Sequence, residues 1–180
     1  MKKMLYSAAL AAVSLVVFGG FSGPSLLPSA NIKNLQGQTI NTSTITNDGK
    51  PILISFWATW CKPCLQEMKA LHNVYDTWRQ ETGVKIIAIS IDDARNAPKV
   101  KPFINGQGWE FDVYLDENGD FKRAMNVNNV PHSFLIDGTT GKVVSQHNSY
   151  APGDENHLYE EIKKLANGGA APAPAGATEH

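Results

Sequence analysis

Two cysteines, Cys61 and Cys64, are the only thiols in this chain, and just two residues separate them. They follow the apolar run 52–57, whose continuous hydrophobicity predicts a strand buried on both faces. A disulfide across so short a loop restricts the unfolded chain very little and would add little stability. The spacing therefore indicates a dithiol that makes and breaks a disulfide with another molecule.

The position of Cys61 predicts that it is the nucleophile of the pair. Residues 63–82 carry apolar side chains at three- and four-residue spacing, so Cys61 falls at the N-terminus of a helix. The unpaired N–H groups and the dipole of a helix N-terminus stabilise a thiolate. Cys64 lies one turn further along the same face, and we expect it to be the resolving thiol that releases the partner from a mixed disulfide.

Neighbours of the cysteines are further candidates for the site. Lys62 either adds positive charge beside Cys61 or is simply a solvated side chain. Pro63 occupies an early helix position, where its missing N–H costs nothing. We expect Trp57 to pack in the interior, whereas Trp60 either packs on the sheet edge or shields the thiol and contacts the substrate.

The pattern along the rest of the chain alternates between strand and helix. We predict a loose N-terminal hairpin at 31–46, strands at 84–91 and 111–115, a short helix at 100–105, a helical turn or two at 120–125, antiparallel strands at 133–136 and 142–147, and a closing helix at 155–166. This order predicts an α/β fold. Its first half implies parallel strands, and the late hairpin makes the central sheet mixed, with helices on both faces.

Both ends of the chain are predicted to lie outside this fold. Residues 1–30 have a basic start followed by the apolar run 5–18, which is typical of a secretory signal peptide or of an uncleaved N-terminal anchor. Residues 168–180 are rich in Ala, Pro and Gly and predict a disordered tail. One domain at 31–167 remains, and we expect it to be exported to the periplasm, either free or anchored in the membrane facing it.

Two segments resemble the thioredoxin superfamily. Residues 56–64, Phe-Trp-Ala-Thr-Trp-Cys-Lys-Pro-Cys, resemble its active site, and residues 130–138, which begin Val-Pro-His, resemble its cis-proline segment. The resemblance implies a thioredoxin fold with Pro131 in a cis peptide bond opposite the cysteines, where Val130 and Pro131 pair with the substrate backbone. Without it, the expectation for Pro131 would be a trans proline on an edge strand.

Within that superfamily, the chain is most similar to the exported TlpA/ResA-like thiol–disulfide oxidoreductases. It shares their export signal, an insertion at 92–121 before the cis-proline segment, and an acid three residues after the second cysteine, Glu67. Cytosolic thioredoxins instead carry an aspartate six residues before the first cysteine, where this chain has Ser55.

The resemblance also implies that Glu67 modulates the thiols. A partly buried carboxylate there would have a raised pKa and could take the proton that Cys64 must lose, unless Glu67 simply faces solvent on the helix. His132 stands where small or hydroxyl residues are more usual in these relatives. It would tune the thiolate electrostatically, unless it is merely an exposed histidine near the groove.

These features predict an exported reductase of protein disulfides that uses no cofactor and no metal. In an oxidising compartment such a reductase needs recharging, for which we expect a membrane electron donor. Apocytochrome c thiols and misoxidised exported proteins are candidate substrates. The net charge of −1 gives no indication of binding to nucleic acid.

Other functions fit the sequence less well. A disulfide oxidase or isomerase would share this site, but the insertion at 92–121 is too short for the helical insertion of DsbA-like oxidases. A peptide-binding module without turnover would not need both cysteines and Pro131. A zinc site needs two more ligands, and the histidines form no short paired motif. For a peroxidase, Thr59 is one residue too close to Cys61, and the second thiol is too near.

Overall fold

The computed structural model describes residues 27–168 of the chain. Residues 1–26 of the predicted signal peptide (1–30) and residues 169–180 of the predicted tail (168–180) lie outside these residues. Within them the strands are β1 (Asn31–Asn34), β2 (Thr39–Asn41), β3 (Ile52–Trp57), β4 (Lys85–Ser90), β5 (Asp112–Leu115), β6 (His132–Ile136) and β7 (Val143–His147). The helices are α1 (Lys62–Thr82), α2 (Ala97–Gln107), α3 (Asp120–Ala124) and α4 (Asp154–Ala166).

The strands form one mixed sheet in the order β2-β1-β5-β4-β3-β6-β7. Strands β3, β4 and β5 are parallel neighbours, whereas β6 runs antiparallel to β3 and β7 antiparallel to β6. The N-terminal hairpin β1–β2 adds to β5 in antiparallel fashion. This confirms the predicted α/β fold with a mixed sheet and an N-terminal β extension, and the insertion supplies α2 and β5.

Strand β3 lies near the middle of the sheet, and all six of its residues are buried. Alternate side chains of a strand point to opposite faces, so β3 contributes to two cores. Helices α1, α2 and α4 cover the face that carries Leu53. Helix α3 covers the other face, where the ring of Phe56 lies 5.3 Å from that of Phe121 and 6.0 Å from that of Phe134.

Helix α1 positions both cysteines, and its bounds follow from local signals. Cys61 is its N-cap, and Pro63 lies in its first turn, where no N–H is needed. The helix ends at Gly83, whose φ of 70° is the left-handed conformation that glycine adopts without steric cost. The predicted start and end of this helix are confirmed to within one residue.

Helix α2 is longer than the predicted helix at 100–105. Pro98 lies in its first turn and Pro102 in its interior, where proline removes a hydrogen bond and usually breaks a helix. The helix nevertheless continues because Val100 and Ile104 are buried against the core on the α1 side of the sheet. Tertiary packing here outweighs local propensity.

Gly138 occupies a place in the β6–β7 turn where the chain leaves no room for a side chain. A Cβ at this position would lie 1.9 Å from the carbonyl oxygen of Lys50, whereas a Cβ at Gly106 in α2 would meet no atom within 4 Å. We expect Gly138→Ala to lower the free energy of unfolding by about 1–3 kcal/mol through steric overlap. The matched change Gly106→Ala should raise it by up to about 1 kcal/mol, because alanine favours helix. Urea unfolding measures both, and equal effects of the two changes would contradict this account of the turn.

Candidate functional site

Cys61 caps helix α1, so its sulfur lies against the helix N-terminus. The Cys64 N–H donates a hydrogen bond to Cys61 Sγ over 3.3 Å. The Cys61 N–H in turn donates to the Ala58 carbonyl at 3.1 Å, which fixes the turn that joins β3 to α1. This geometry stabilises negative charge on the Cys61 sulfur, because N-terminal N–H groups and the helix dipole favour an anion.

The two cysteines form a disulfide with an S–S distance of 2.05 Å, so the structure represents the oxidised protein. Cys61 keeps 6% of its surface exposed, whereas Cys64 is fully buried. An incoming disulfide can therefore approach Cys61 and not Cys64. This difference in access agrees with the roles that the sequence predicts for the two thiols.

The predicted proline segment lies beside the disulfide. The Val130–Pro131 peptide bond is cis, as the family resemblance implied. The carbonyl oxygen of Val130 lies 3.7 Å from Cys61 Sγ. The structure thus brings Val130, Pro131 and Cys61 together, although Val130 comes 69 positions after Cys61 in the sequence.

Glu67 lies one turn beyond Cys64 on α1 and is buried, with 5% of its surface exposed. Its carboxyl accepts hydrogen bonds from Ser55 Oγ at 3.0 Å and from Ser133 Oγ at 2.6 Å. Burial raises the pKa of Glu67, and the two hydroxyls counter only part of that shift. The alternative of a solvent-facing glutamate is therefore wrong, and Glu67 is a buried acid one turn along α1 from Cys64.

Ser55 and Ser133 belong to the site although the sequence did not identify them as functional. They are direct partners across the antiparallel pair β3–β6, so both hydroxyls point to the α1 face at the same level of the sheet. The available signal was a single polar residue, Ser55, within the apolar run 52–57. A hydroxyl in a fully buried strand needs a hydrogen-bond partner, and here that partner is Glu67.

Asp92 is a third residue that sequence reasoning missed. Its buried carboxylate accepts hydrogen bonds from the Thr59 N–H at 2.9 Å, from Thr59 Oγ1 at 2.6 Å and from Ser90 Oγ at 2.8 Å. These bonds tie the turn before Cys61 to the end of β4. The sequence placed Asp92 at the start of an insertion, because nothing local shows that it reaches across to Thr59.

The remaining neighbours of the cysteines divide into exposed and buried groups. Trp60 has 64% of its surface exposed, and Lys62 and Pro63 are exposed beside it. Trp57 is fully buried, with its ring 6.0 Å from that of Phe103 and 5.7 Å from that of Trp109. The prediction that Trp57 packs in the interior is confirmed.

His132 does not join the other site residues. Because neighbouring residues of a strand point to opposite faces, His132 lies on the far face of the sheet when Ser133 faces Glu67. Its ring stacks on Phe134 at 4.4 Å, and its Nε2 pairs with Gln146 Oε1 at 3.2 Å. His132 is only 5% exposed, so the alternative of an exposed histidine is wrong, and burial lowers its pKa.

Metal-ligating clusters and membrane-spanning helices are both absent from the residues that the structure describes. Across residues 27–168, side chains of His, Cys, Asp and Glu form no group of three that could hold a metal ion. In the same range no helix combines the length and the apolar character needed to cross a bilayer.

Comparisons with known proteins agree with this geometry. The family model described as AhpC/TSA matches residues 25–146. The thiol-disulfide oxidoreductase ResA of Bacillus thuringiensis (strain Al Hakam) is 38% identical over 119 residues, which are 66% of this chain and 65% of that protein. The chain thus spans slightly less than two thirds of that relative. ResA of Bacillus subtilis (strain 168) is 33% identical over 131 residues, covering 71% of this chain and 70% of that protein.

A solved structure gives the same result for the fold. The solution structure of an uncharacterized thioredoxin-like protein from Porphyromonas gingivalis superposes with a TM-score of 0.72 at 50% identity, covering 81% of this chain and 95% of that one. The predicted thioredoxin fold and the predicted resemblance to ResA-like proteins are both confirmed.

The buried state of Glu67 predicts a pH-dependent stability. Its pKa in the folded protein is raised above the ordinary value of 4.5, so above that pH the folded chain holds the proton more tightly than the unfolded chain. The contribution of Glu67 to the free energy of unfolding is therefore complete below pH 4.5. It is lost as pH rises from 4.5 through the raised pKa of the folded protein.

Glu67→Gln removes this loss, so the variant should gain stability relative to the natural protein as pH rises, by at most about 1.4 kcal/mol per pH unit. Urea unfolding of both oxidised proteins between about pH 4 and pH 8 measures the difference. Two parallel stability curves would show that Glu67 ionises as freely in the folded state as in the unfolded one.

Proposed function

We propose that this chain, which belongs to the AhpC/TSA family, is an exported thiol–disulfide oxidoreductase that reduces protein disulfides. Its curated relatives carry the name thiol-disulfide oxidoreductase. The observation that carries the proposal is the placement of Cys61 Sγ, which lies at the N-terminus of α1 and 3.7 Å from the Val130 carbonyl. In the reduced protein, the helix N-terminus stabilises the thiolate form of this sulfur, and the neighbouring backbone can hold a substrate.

Cys61 acts as the nucleophile in the first step. Its thiolate, stabilised by the Cys64 N–H, attacks one sulfur of the substrate disulfide. A bond forms between Cys61 Sγ and that sulfur while the substrate S–S bond breaks. The departing substrate sulfur keeps the electron pair of the broken bond and takes a proton from solvent.

Cys64 completes the reaction in the second step. Glu67, which lies one turn along α1 and is buried with Cys64, takes the proton of the Cys64 thiol. The Cys64 thiolate attacks Cys61 Sγ, the mixed disulfide breaks, and the second substrate sulfur leaves with its electron pair and is protonated. Two electrons have then passed to the substrate, and the protein is left with the Cys61–Cys64 disulfide present in the structure.

The surface around Cys61 is suited to a peptide substrate. We assign Val130 and Pro131 to the substrate backbone, because the Val130 carbonyl adjoins the reacting sulfur. Trp60 offers a large exposed ring beside it, which can cover apolar side chains of the substrate. Lys62 and Pro63 act indirectly, Lys62 through its charge and Pro63 by starting the helix.

The proposal that this chain reduces disulfides, and does not form them, rests on a separate feature, the size of the insertion. The insertion contains the single helix α2 of 11 residues, which supports a reductase over a DsbA-like oxidase with its larger helical insertion. A reductase in the periplasm must be recharged, and we propose a membrane electron donor. Its substrates are disulfides of exported proteins, with apocytochrome c among the candidates.

Trapping experiments test the roles of the two thiols. Cys64→Ser should accumulate mixed disulfides between Cys61 and substrate proteins, because no second thiol is present to resolve them. Cys61→Ser, the matched control, should trap none and should lose all reductase activity. Non-reducing gels before and after treatment with a thiol detect the adducts. Adducts on Cys61→Ser with none on Cys64→Ser would reverse the assignment.

The reduction potential of the Cys61–Cys64 pair tests the direction. We expect a value near or below about −230 mV, close to thioredoxin, after equilibration of the domain in graded thiol–disulfide buffers. A value between about −180 and −120 mV would instead indicate an isomerase or an oxidase. If no intramolecular disulfide forms at any poise, the redox proposal fails and a peptide-binding role replaces it.

A further inference from the structure

A small cavity lies beside Glu67, on the side of the sheet that α1 covers. It measures about 20 Å³, which is room for about one water molecule. Its lining combines the apolar Leu71 and Leu158 with polar groups, namely Glu67, Ser133, His147, Ser149, Tyr150 and the first residues of α4. Neither cysteine belongs to this lining, and neither do Val130 and Pro131.

Two polar residues that line this cavity, Ser133 and His147, belong to a row of polar residues that crosses three strands. Ser55 of β3 pairs directly with Ser133 of β6, and Ser133 pairs directly with His147 of β7. Direct partners have Cβ atoms about 4.5–5.5 Å apart and point to the same face. Glu67 lies over the Ser55 and Ser133 end of the row through its two hydrogen bonds, so the row leads from the buried carboxyl to the edge strand.

The far end of the row reaches solvent. The side chain of His147 has 36% of its surface exposed, and its Nε2 pairs with Glu161 Oε2 at 2.9 Å. Ser149 and Asp154, which also line the cavity, are exposed. An imidazole can accept a proton on one ring nitrogen and release one from the other, which suits it to connect an interior group with bulk water.

The proposed reaction creates a need for such a connection. In the mixed disulfide, the substrate covers Cys61, while the proton from Cys64 passes to an acid that is itself buried. Glu67 must lose this proton before it can act again. We propose that Glu67 exchanges its proton with solvent through this cavity, by way of Ser133, a water molecule and the imidazole of His147. This inference rests on the proposed role of Glu67 as the proton acceptor of Cys64.

The proton balance of this route is simple. Cys64 Sγ gives one proton to the Glu67 carboxylate, and the neutral acid then donates it to the Ser133 hydroxyl or to water in the cavity. The hydroxyl or the water passes one proton on to His147, and His147 releases one to bulk solvent. No electron moves along the route, and Glu67 returns to the carboxylate form.

The charges around Glu67 are compatible with transfer in this direction. A protonated His147 favours the carboxylate form of Glu67, whereas Asp154 disfavours it. The Tyr150 hydroxyl donates to Glu155 at 2.8 Å, and burial followed by this bond raises the pKa of Tyr150 to about 12. Tyr150 therefore stays protonated and offers its oxygen as an acceptor to water in the cavity.

A chromogenic aromatic disulfide separates the two chemical steps in stopped flow. The reduced protein is held at about pH 4, where Glu67 is protonated because its pKa is raised above the ordinary value of 4.5, and is then mixed into neutral buffer. Glu67 must therefore release its own proton before it can take one from Cys64. Attack by Cys61 releases the first coloured thiolate, and attack by Cys64 releases the second, whichever way electrons flow physiologically. We expect His147→Ala to leave the first phase unchanged and to slow the second about tenfold, since proton transfer by a positioned group is typically worth 10²–10⁴-fold and water can replace part of a relay. A high concentration of imidazole should restore the second phase.

Matched variants separate proton transfer from structure. His147→Gln keeps a polar partner for Glu161 but cannot relay a proton, so it should be as slow as His147→Ala. Glu161→Gln removes the same ion pair but keeps the imidazole, and it should retain the rate of the second phase within about twofold. His157→Ala changes an exposed histidine of α4 that does not line the cavity, and should behave as the natural protein does.

The outcomes distinguish this route from the proposed function. The route alone is overturned if the second phase of His147→Ala keeps the natural rate. It is also overturned if this phase is slow but imidazole does not restore it, or if Glu161→Gln is equally slow. If Glu67→Gln also resolves at the natural rate at neutral pH, the proposed role of Glu67 fails and the route fails with it. The route and the role of Glu67 are both supported if the second phase of Glu67→Gln is slow and imidazole does not accelerate it, while imidazole does restore the second phase of His147→Ala.

Discussion

The buried carboxyl of Glu67 imposes the constraint on which the rest of this site depends. A carboxyl removed from water needs hydrogen-bond donors, and here they come from Ser55 on β3 and Ser133 on β6. These bonds link helix α1 to both strands. Strand β3 leads into the turn that carries Cys61, and β6 begins directly after the cis-proline. The two hydrogen bonds to Glu67 add to the backbone pairing of β3 with β6, which brings Cys61 next to Val130. Loss of either hydroxyl would leave the acid short of a donor and would loosen the site at its centre.

Much of the fold could be predicted because its signals are local. The apolar run of β3, the periodicity of α1 and the glycine that ends it each lie within a few residues, and their bounds agree with the structure to within one or two residues. Helix α2 is different, because Pro102 is a local signal against a helix, and only the burial of Val100 and Ile104 explains its full length. The position of β5 between β4 and β1 is equally non-local, since it depends on which strands find each other.

The site shows the same division between local and distant information. The motifs identified Cys61, Cys64 and the proline segment, and the resemblance supplied the cis bond of Pro131. The hydrogen bond from Ser133 to Glu67 and the contact between Asp92 and Thr59 join residues 66 and 33 positions apart in the chain, so no local pattern could reveal them. His132 illustrates a finer limit. Its sequence neighbours placed it near the groove, but strand alternation turns its side chain to the opposite face, where it meets Phe134 and Gln146.

Electron transfer and proton transfer place opposite demands on such a site. The sulfur that meets the substrate has to be accessible, whereas Cys64, which we propose as the resolving thiol, is buried. Burial then makes its proton costly to remove, because a thiolate and a carboxylate are both disfavoured away from water. The raised pKa of Glu67 reduces this conflict, because an acid that binds protons more strongly is a better match for a thiol. A polar row that runs from Ser55 and Ser133 to an edge strand supplies the other half of the solution. In the route that we propose, this row connects the buried Glu67 with solvent at His147 on the edge strand.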